Sequence, residues 1–337
     1  MIVPYPLTNQ GYAKMLRSFI VNEFDLYELV DLNGTKVFEN ATVSNCIPFV
    51  KKGERTSEIT ISRITQEKTI ERKEILPIDS FVQSDKMLWD TGGKTRFKVN
   101  TGYTLGDFCY ISVGMVLNAD EKTARGEFTK DDLISSSRDY IHKRKYIEAK
   151  DIEPYFVKRL RFLEWDTDRC PGKLRRPTFR EMYDCPKLMI NRLGRIQVYY
   201  DESEKLLHSD SMFSAILWKD LHDVNNKSIA GSIQKFSRLT RPEMEELSEN
   251  VSLKYLLAIL NSSFANDLIS YQRGGDYHIY PEHLRQIPIP IAPKEVQDEL
   301  SQMVDDILLR SNDQDDVQAR IDDTVRSLYL RNADASQ

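Results

Sequence analysis

The chain has 337 residues, a length typical of roughly two domains of ~150 residues. Of these residues 40% are hydrophobic and 29% are charged, a composition that excludes a largely disordered protein. Its net charge of -5 excludes a uniformly basic nucleic-acid binder but allows a basic surface on part of the molecule. No apolar run approaches the ~20 residues of a membrane helix, and the start of the chain lacks signal-peptide features. The four cysteines have no paired spacing, so we expect a reduced, cytoplasmic protein with no membrane partner and no metal site.

The first 88 residues alternate short apolar strands with one helix. Strands are predicted at Met1–Pro4, Leu26–Leu32 and Val43–Val50. The helix is predicted over Tyr12–Val21, with Leu16, Phe19 and Ile20 facing inward. This order is typical of a βαβ unit in a parallel, Rossmann-like sheet. Alternating apolar and polar residues then predict hairpin or edge strands at Ile59–Ile64 and Thr69–Ile75.

A mixed, β-rich domain is predicted for residues 89–290, after a loop at Asp90–Gly102. Its clearest strands are predicted at Asp107–Met115 and Lys187–Tyr200, and its clearest helix at Leu253–Leu260. The fold class is therefore α/β followed by α+β.

Residues 291–337 are predicted to form a helical tail. The stripe from Val296 to Leu308 has the i, i+3, i+4 spacing of an amphipathic helix, and Val317–Leu328 predicts a second helix. We expect the stripe to pack on this second helix and on the preceding domain or a partner. From Lys294 onward the tail has 5 basic and 11 acidic residues, so we do not expect it to contact nucleic acid.

Positive charge concentrates between Arg138 and Arg195, where 16 Lys/Arg stand against 9 Asp/Glu, a net of +7. Aromatic residues such as Tyr140 are interleaved with these cations. Phosphate contact needs mobile cations, and contact with base edges needs Arg or polar side chains of suitable shape. The alternative interpretation is a solvated surface over core aromatics. The predicted DNA-binding residues are Lys143, Arg144, Lys145, Arg159, Arg161, Lys173, Arg175, Arg176, Arg180, Arg192 and Arg195.

These residues fall into local groups with different predicted roles. The stretch from Pro171 to Pro177, followed by Arg180, is predicted to be an exposed loop that enters a DNA groove. Arg159 and Arg161 alternate with Leu160 and are predicted to lie on one strand face, where they would contact phosphates.

Other chemical motifs are incomplete. Gly92–Thr95 resembles the end of a P-loop, but Leu88 occupies the position where that motif requires its first glycine. Glu148-Ala149-Lys150 and Glu71-Arg72-Lys73 have the Glu-x-Lys spacing of a metal-dependent nuclease, without the Pro-Asp pair that precedes it. The five histidines show no ligand spacing and none lies beside a plausible nucleophile. No complete active site is predicted, so no catalytic residue is assigned.

Two parts of the chain resemble adenine-specific DNA methyltransferases. Met1–Lys52 is similar to the second half of their catalytic domain, which has a strand ending in Pro, a helix with Leu-Arg, a strand ending in Asp and a Val-Phe-x-x-Ala element. The corresponding positions here are Pro4, Leu16-Arg17, Asp31, Val37-Phe38 and Ala41. Leu105–Asp120 (LGDFCYISVGMVLNAD) is similar to the opening of target recognition domains in type I specificity subunits and TaqI-like methylases.

The end of the chain extends the second resemblance. A helix ending in Leu260-Asn261-Ser262, then an Ile-Pro-Ile-Pro stretch and a long helix, is how such recognition domains usually close. Lys145–Tyr155 and Pro186–Asn191 resemble the interior of the same domain. The similar segments follow one another in the same order as in the family, and the resemblance covers nearly the whole chain.

The resemblance implies a DNA target recognition (specificity) module in a restriction-modification or related defence system. The family's Asn-Pro-Pro-Tyr loop for methyl transfer and its glycine-containing cofactor loop are both absent from the sequence. We therefore expect no cofactor in this chain, S-adenosylmethionine in the complete enzyme, and an upstream methyltransferase portion or subunit as partner beside double-stranded DNA. The alternatives are a methyltransferase or restriction nuclease with divergent motifs, active by itself, and a protein-interaction module.

Overall fold

The structure is a computed structural model that describes residues 1–8, 10–32, 45–64, 69–83, 87–89, 101–203, 205–273, 277–310 and 313–334. The chain divides into two compact units. The first comprises Met1–Lys98 with Leu268–His278, and the second comprises Val99–Asp267 with Ile279–Gln337. Both helices and several small sheets are present, so the fold is mixed α and β. Within the described ranges, no helix has the length and apolar character needed to cross a bilayer. The domain boundaries predicted after residues 88 and 290 stay predictions.

The first unit contains a five-stranded mixed sheet. Its elements are β1 (Val3–Pro4), α1 (Lys14–Glu23), β2 (Asp25–Asp31), β3 (Asn45–Lys51), β4 (Glu58–Ile64), β5 (Ile70–Pro77), α2 (Ile78–Phe81), β6 (Val82–Gln83) and β7 (Leu88–Trp89). The strand order in the sheet is β1-β3-β2-β4-β5. In this sheet the β2–β4 pair is parallel, and the other three pairs are antiparallel.

The predicted parallel sheet is therefore wrong, and a Rossmann-like sheet is not confirmed. β1 and β2 do run in the same direction, as a βαβ unit requires, because both are antiparallel to β3, which lies between them. Nothing in the sequence pattern indicated that β3 lies between β1 and β2 in the sheet. The hairpin predicted for β4 and β5 is confirmed.

The predicted inward face of the first helix is only partly correct: Ile20 packs against the core, but the other two residues do not face inward. Leu16 and Phe19 are 50% and 54% exposed, whereas Arg17 is fully buried. The Arg17 Nη1 donates to the carbonyl oxygen of Leu7 (2.8 Å) and its Nε donates to that of Met87 (2.6 Å). Because buried carbonyl groups need a donor, the guanidinium turns inward and the apolar side chains beside it turn outward.

The second unit is built on two four-stranded sheets, ordered β17-β16-β19-β8 and β10-β14-β11-β18. The strands are β8 (Cys109–Val113), β9 (Val116–Ala119), β10 (Ile134–Ser135), β11 (His142–Ile147), β12 (Ile152–Glu153), β13 (Phe156–Val157), β14 (Arg161–Glu164), β15 (Leu174–Arg176), β16 (Lys187–Asn191), β17 (Val198–Asp201), β18 (Leu207–His208) and β19 (Met212–Leu217). The remaining helices are α3 (Leu105–Phe108), α4 (Glu181–Asp184), α5 (Lys227–Phe236), α6 (Arg241–Ser248), α7 (Leu253–Asn261), α8 (Ser263–Arg273), α9 (Pro281–Arg285), α10 (Lys294–Leu308) and α11 (Gln314–Asp334).

Two of the predicted strands are divided in the structure. The segment Asp107–Met115 begins inside α3, because the Asp107 carboxylate accepts hydrogen bonds from the backbone N and the Oγ1 of Thr104 and closes a capping box. The segment Lys187–Tyr200 is a hairpin of β16 and β17 instead of one strand.

The predicted helices near the C-terminus are confirmed. Helix α7 is buried along almost all of its length, and α10 packs on both α7 and α11. Leu300 and Ile307 from the predicted stripe are buried. The Tyr255 hydroxyl of α7 donates to the Pro290 carbonyl (2.7 Å), which fastens the proline-rich stretch to the core.

Gly114 directly follows β8 and packs against the connection between β18 and β19. A Cβ atom at this position would be 2.3 Å from the Ser209 carbonyl oxygen and 2.4 Å from the His208 Nδ1. His208 is fully buried, with Nδ1 3.0 Å from the same carbonyl and Nε2 2.7 Å from the Ser214 Oγ. Burial lowers the pKa of His208 to about 3, so the imidazole is neutral at physiological pH.

We predict that Gly114→Ala lowers the free energy of unfolding by about 3 kcal/mol, because the added methyl group collides with backbone and a buried ring that cannot move aside. Gly172→Ala is the control, since a Cβ there meets no atom within 4 Å. Denaturant midpoints of the two variants measure the difference. Equal midpoints would show that the packing at Gly114 is not tight.

Candidate nucleic-acid interface

The first predicted cations lie on β11, which pairs antiparallel with β14 and, at its end, parallel with β18. Its last residues, Tyr146 and Ile147, are fully buried and anchor the strand. The half that precedes them is accessible: Lys143 is exposed, while Arg144 and Lys145 are half-buried. The hydrophobic end of the strand thus holds its basic half at the surface.

Arg161 does not lie on an exposed strand face, contrary to the prediction. The residue is only 7% exposed. Nη1 donates to the Glu148 Oε2 (3.0 Å) and Nη2 donates to the Asp151 Oδ1 (2.8 Å). Both carboxylates are also buried. A buried charge needs a partner, so Arg161 neutralises these two groups and is not available for phosphate contact.

Glu148 is the most connected member of this buried cluster. It accepts from Arg161, from the Tyr146 hydroxyl (3.0 Å) and from the Lys150 Nζ (3.1 Å), and it forms an ion pair with Lys130. Burial alone would raise the pKa of Glu148, but the hydrogen bonds from Lys130 and Lys150 outweigh it, and the pKa falls to about 2. The carboxylate is therefore ionised and structural.

This environment argues against the nuclease interpretation of Glu148-Ala149-Lys150. The oxygens of Glu148 are occupied by cationic and hydroxyl donors, which leaves no ligand position directed at a metal. No group of His, Cys, Asp or Glu that could hold a metal ion occurs in the part of the chain that the structure describes. The Gly92–Thr95 motif lies outside the described residues.

Arg159 is the exposed neighbour of the buried Arg161. It lies before β14 rather than on it. The backbone N atoms of Lys158 and Arg159 both donate to the Asp151 carbonyl oxygen, at 2.7 and 3.3 Å. Asp151 thus binds Arg161 through its side chain and fixes the adjacent basic pair through its backbone.

The stretch from Lys173 to Arg180 is only partly the loop that was predicted. Leu174–Arg176 is β15, paired antiparallel with β9, because Leu174 is buried and draws the segment onto the sheet. Lys173 forms an ion pair with Glu127 (2.6 Å) and Arg175 with Glu121 (3.4 Å). Ion pairs between exposed groups contribute only about 0–1 kcal/mol, so phosphate can replace these carboxylates.

The structure brings Arg144 and Arg180 together on one carboxylate. Arg144 Nη2 is 3.2 Å from the Asp184 Oδ1, and Arg180 Nε is 2.8 Å from the Asp184 Oδ2. Arg144 also lies over the Trp165 ring, 5.4 Å from its centroid. The two arginines come from β11 and from the start of α4, and nothing in their sequence spacing indicated this arrangement.

Arg176 and Arg192 bind backbone carbonyls in two adjoining connections, the one between β8 and β9 and the one between β18 and β19. Arg176 Nη2 donates to the Gly114 carbonyl (3.0 Å), and Arg192 Nη1 donates to the Asp210 carbonyl (2.5 Å). The two connections are joined because the Asp210 N donates to the Met115 carbonyl (2.9 Å). These hydrogen bonds fix the direction of both guanidinium groups.

Arg195 lies in the turn between β16 and β17, which is held by asparagines. The Asn191 Nδ2 donates to the Leu193 and Arg195 carbonyls (2.6 and 2.8 Å). From outside the hairpin, the Asn261 side chain accepts from the Val198 N (2.9 Å) and donates to the Val198 O (3.0 Å). The asparagine of the Leu-Asn-Ser motif therefore fastens the hairpin that presents Arg195.

Three of the eleven predicted cations are exposed and without a side-chain partner among the described residues: Lys143, Arg159 and Arg195. Arg138 and Lys158 share both properties, although the sequence did not single them out. Only their place in the net +7 segment could have indicated them. These five residues are the cations most accessible to phosphate in the described part of the segment.

No protein-family profile and no curated protein matches the chain. Among solved structures, a type IIL restriction-modification enzyme, MmeI in complex with DNA, matches 97% of this chain with a TM-score of 0.60 and 9% identity. The chain shares a fold with part of that enzyme. It spans about half the length of the solved structures it matches, 46% for MmeI. The type IIG restriction endonuclease BpuSI matches 98% of this chain and 47% of its own length, with a TM-score of 0.34 and 13% identity. The DrdV–DNA complex matches 91% of this chain and 37% of its own length, with a TM-score of 0.46 and 11% identity. Both TM-scores are too low to show a shared fold.

We predict that Arg161→Met lowers the free energy of unfolding by about 3–5 kcal/mol, because the buried Asp151 carboxylate loses its cation and the buried Glu148 loses one of its three. Arg159→Met is the matched control, two residues away and exposed, and should change stability by less than about 0.5 kcal/mol. Denaturant unfolding of both variants tests this. Equal stability of the two variants would contradict the buried position of Arg161.

Proposed function

We propose that this chain is the DNA-binding, target-recognition portion of an adenine-specific DNA methyltransferase in a restriction-modification or related defence system. The observation that carries the proposal is the fold shared with MmeI, a restriction-modification enzyme whose structure was determined in complex with DNA. The assignment to target recognition and to adenine rests on the sequence resemblance of Leu105–Asp120 and of the Leu-Asn-Ser helix. Double-stranded DNA is the proposed partner.

The charge distribution supports binding to the phosphate backbone. A chain of net charge -5 concentrates a net +7 in one segment. Five exposed cations described in that segment have no side-chain partner among the described residues, and Lys173 and Arg175 form only surface ion pairs. Each phosphate that a cation binds releases counterions, so affinity falls as salt rises. Lys143, Arg159 and Arg195 are assigned to phosphate binding. Arg176 and Arg192, whose directions are fixed by backbone carbonyls, are better suited to base edges.

A protein partner is supported by an apolar surface on the first unit. Met15, Leu16 and Phe19 of α1 are all exposed, and Phe19 follows the other two at the three- and four-residue spacing of a single helix face. Contiguous exposed apolar surface marks an interaction site. We assign this surface to a methyltransferase catalytic portion or subunit, which would also bind S-adenosylmethionine. The target adenine would leave the base stack to reach that portion, because its amine is inaccessible within the duplex.

We predict that the double variant Arg159→Ala/Arg195→Ala binds duplexes of any sequence more weakly. The slope of log Kd against log salt should fall by about one for each arginine that binds a phosphate in the parent. The control Arg320→Ala/Arg326→Ala removes two exposed arginines from the acidic tail and should bind like the parent. Fluorescence anisotropy over a salt series measures both quantities. If the two variants behave alike, the basic segment does not face DNA.

We also predict that the chain alone transfers no methyl group from S-adenosylmethionine to DNA, because it lacks the Asn-Pro-Pro-Tyr loop. It should not cleave DNA with Mg²⁺ either, because the Glu148 carboxylate of its Glu-x-Lys triplet is already bound by Lys130, Lys150 and Arg161. Adding the catalytic portion of such an enzyme should produce methylation of adenine. Labelled methyl transfer and gel electrophoresis measure the two activities. Robust activity of the isolated chain would favour the alternative, an enzyme with divergent motifs.

A further inference from the structure

The connection between β10 and β11 presents an aromatic ring to solvent. Tyr140 is 84% exposed, and it lies in the segment of net +7. A tyrosine has a large apolar ring with a polar tip, which favours contact with a partner over full hydration. Tyr140 contributes to no hydrophobic cluster of the second unit, so its position serves no purpose in the described core.

The backbone around Tyr140 is held in place by Asp139. The Asp139 carboxylate accepts from the backbone N of Ile141 (2.9 Å) and of His142 (2.7 Å), and it lies 2.7 Å from the His142 Nδ1. On the strand side, the Trp165 N donates to the Ile141 carbonyl (3.0 Å). The ring is therefore presented by an ordered turn, which reduces the conformational entropy cost of binding.

The charges on either side of the ring are positive. Arg138 and Lys143 are both exposed, and neither has a side-chain partner within the described ranges. The intervening acid, Asp139, is occupied by the turn. An aromatic ring between two available cations matches the pattern by which proteins combine contact to an unstacked base with binding of the flanking phosphates.

We propose that Tyr140 contacts a base of the bound DNA through its ring, while Arg138 and Lys143 bind the phosphates that flank it. This inference rests on the proposed DNA binding and adds a base-contacting residue that sequence analysis did not assign. A phenol ring has no charge, so it offers no ion pair to phosphate, whereas its face can insert at a base step that the bound protein unstacks. Tyr140 thus positions the turn against the bases.

The test compares Tyr140→Ala and Tyr140→Phe with Tyr277→Ala, a tyrosine that is also exposed (63%) and lies outside the basic segment. Affinity for a random-sequence duplex is measured by anisotropy over a salt series. We expect Tyr140→Ala to weaken binding about tenfold without changing the salt slope, because no charge is removed. Tyr140→Phe and Tyr277→Ala should bind like the parent. Thermal midpoints confirm that each variant is folded.

Three results would overturn the inference. If Tyr140→Ala binds like the parent while Arg159→Ala/Arg195→Ala is weakened, the ring does not touch the DNA and the proposed function stands. If Tyr140→Phe is as weak as Tyr140→Ala, the hydroxyl and not the ring binds the DNA. If the parent chain binds no duplex, the inference and the proposed function both fail.

Discussion

The guanidinium of Arg161, buried between two carboxylates, determines how the basic segment is displayed. It joins Glu148, just after β11, to Asp151 in the following turn, and it belongs to β14, the neighbour of β11 in the sheet. Without this cation the buried Asp151 carboxylate would be uncompensated and Glu148 would depend on Lys130 and Lys150, which is strongly unfavourable. Because Arg161 satisfies them inside, the remaining basic residues of β11 and of the Lys158–Arg159 pair stay at the surface.

The cations of the segment are arranged by local hydrogen bonds rather than by long flexible loops. Asp151 fixes the backbone at Lys158 and Arg159, asparagines fix the turn that carries Arg195, and Asp139 fixes the turn at Tyr140. Pre-ordering of this kind lowers the entropy cost when a partner binds. The fold shared with a DNA-bound restriction-modification enzyme and the ordered basic surface support the same proposal independently.

The sequence predicted features that depend on local periodicity. The hairpin of β4 and β5, the buried helix α7 and the amphipathic pair α10 and α11 follow from apolar spacing alone. The segment that carries the positive charge also followed from composition. These features were predictable because each is set by neighbours within a few positions of the chain.

Features set by residues distant in sequence were not predictable. Arg161 and Arg159 look equivalent in sequence, and only the carboxylates of Glu148 and Asp151 decide which one is buried. Likewise, the inward turn of Arg17 depends on the Met87 carbonyl, 70 residues away. The pairing of β15 with β9 converted half of an apparent loop into a strand. In each case a tertiary hydrogen-bonding requirement overrode the local pattern.

Covalent lysine footprinting examines the proposed DNA face in the unmodified chain. The protein is acylated with and without duplex DNA under conditions in which it is bound, and each lysine is quantified by mass spectrometry. The proposal predicts that Lys143 and Lys158 are protected by DNA, whereas Lys294, whose side chain is 77% exposed in the acidic tail, reacts equally in both states. Unchanged reactivity of Lys143 and Lys158 in the bound state, or protection of Lys294 instead, would contradict it.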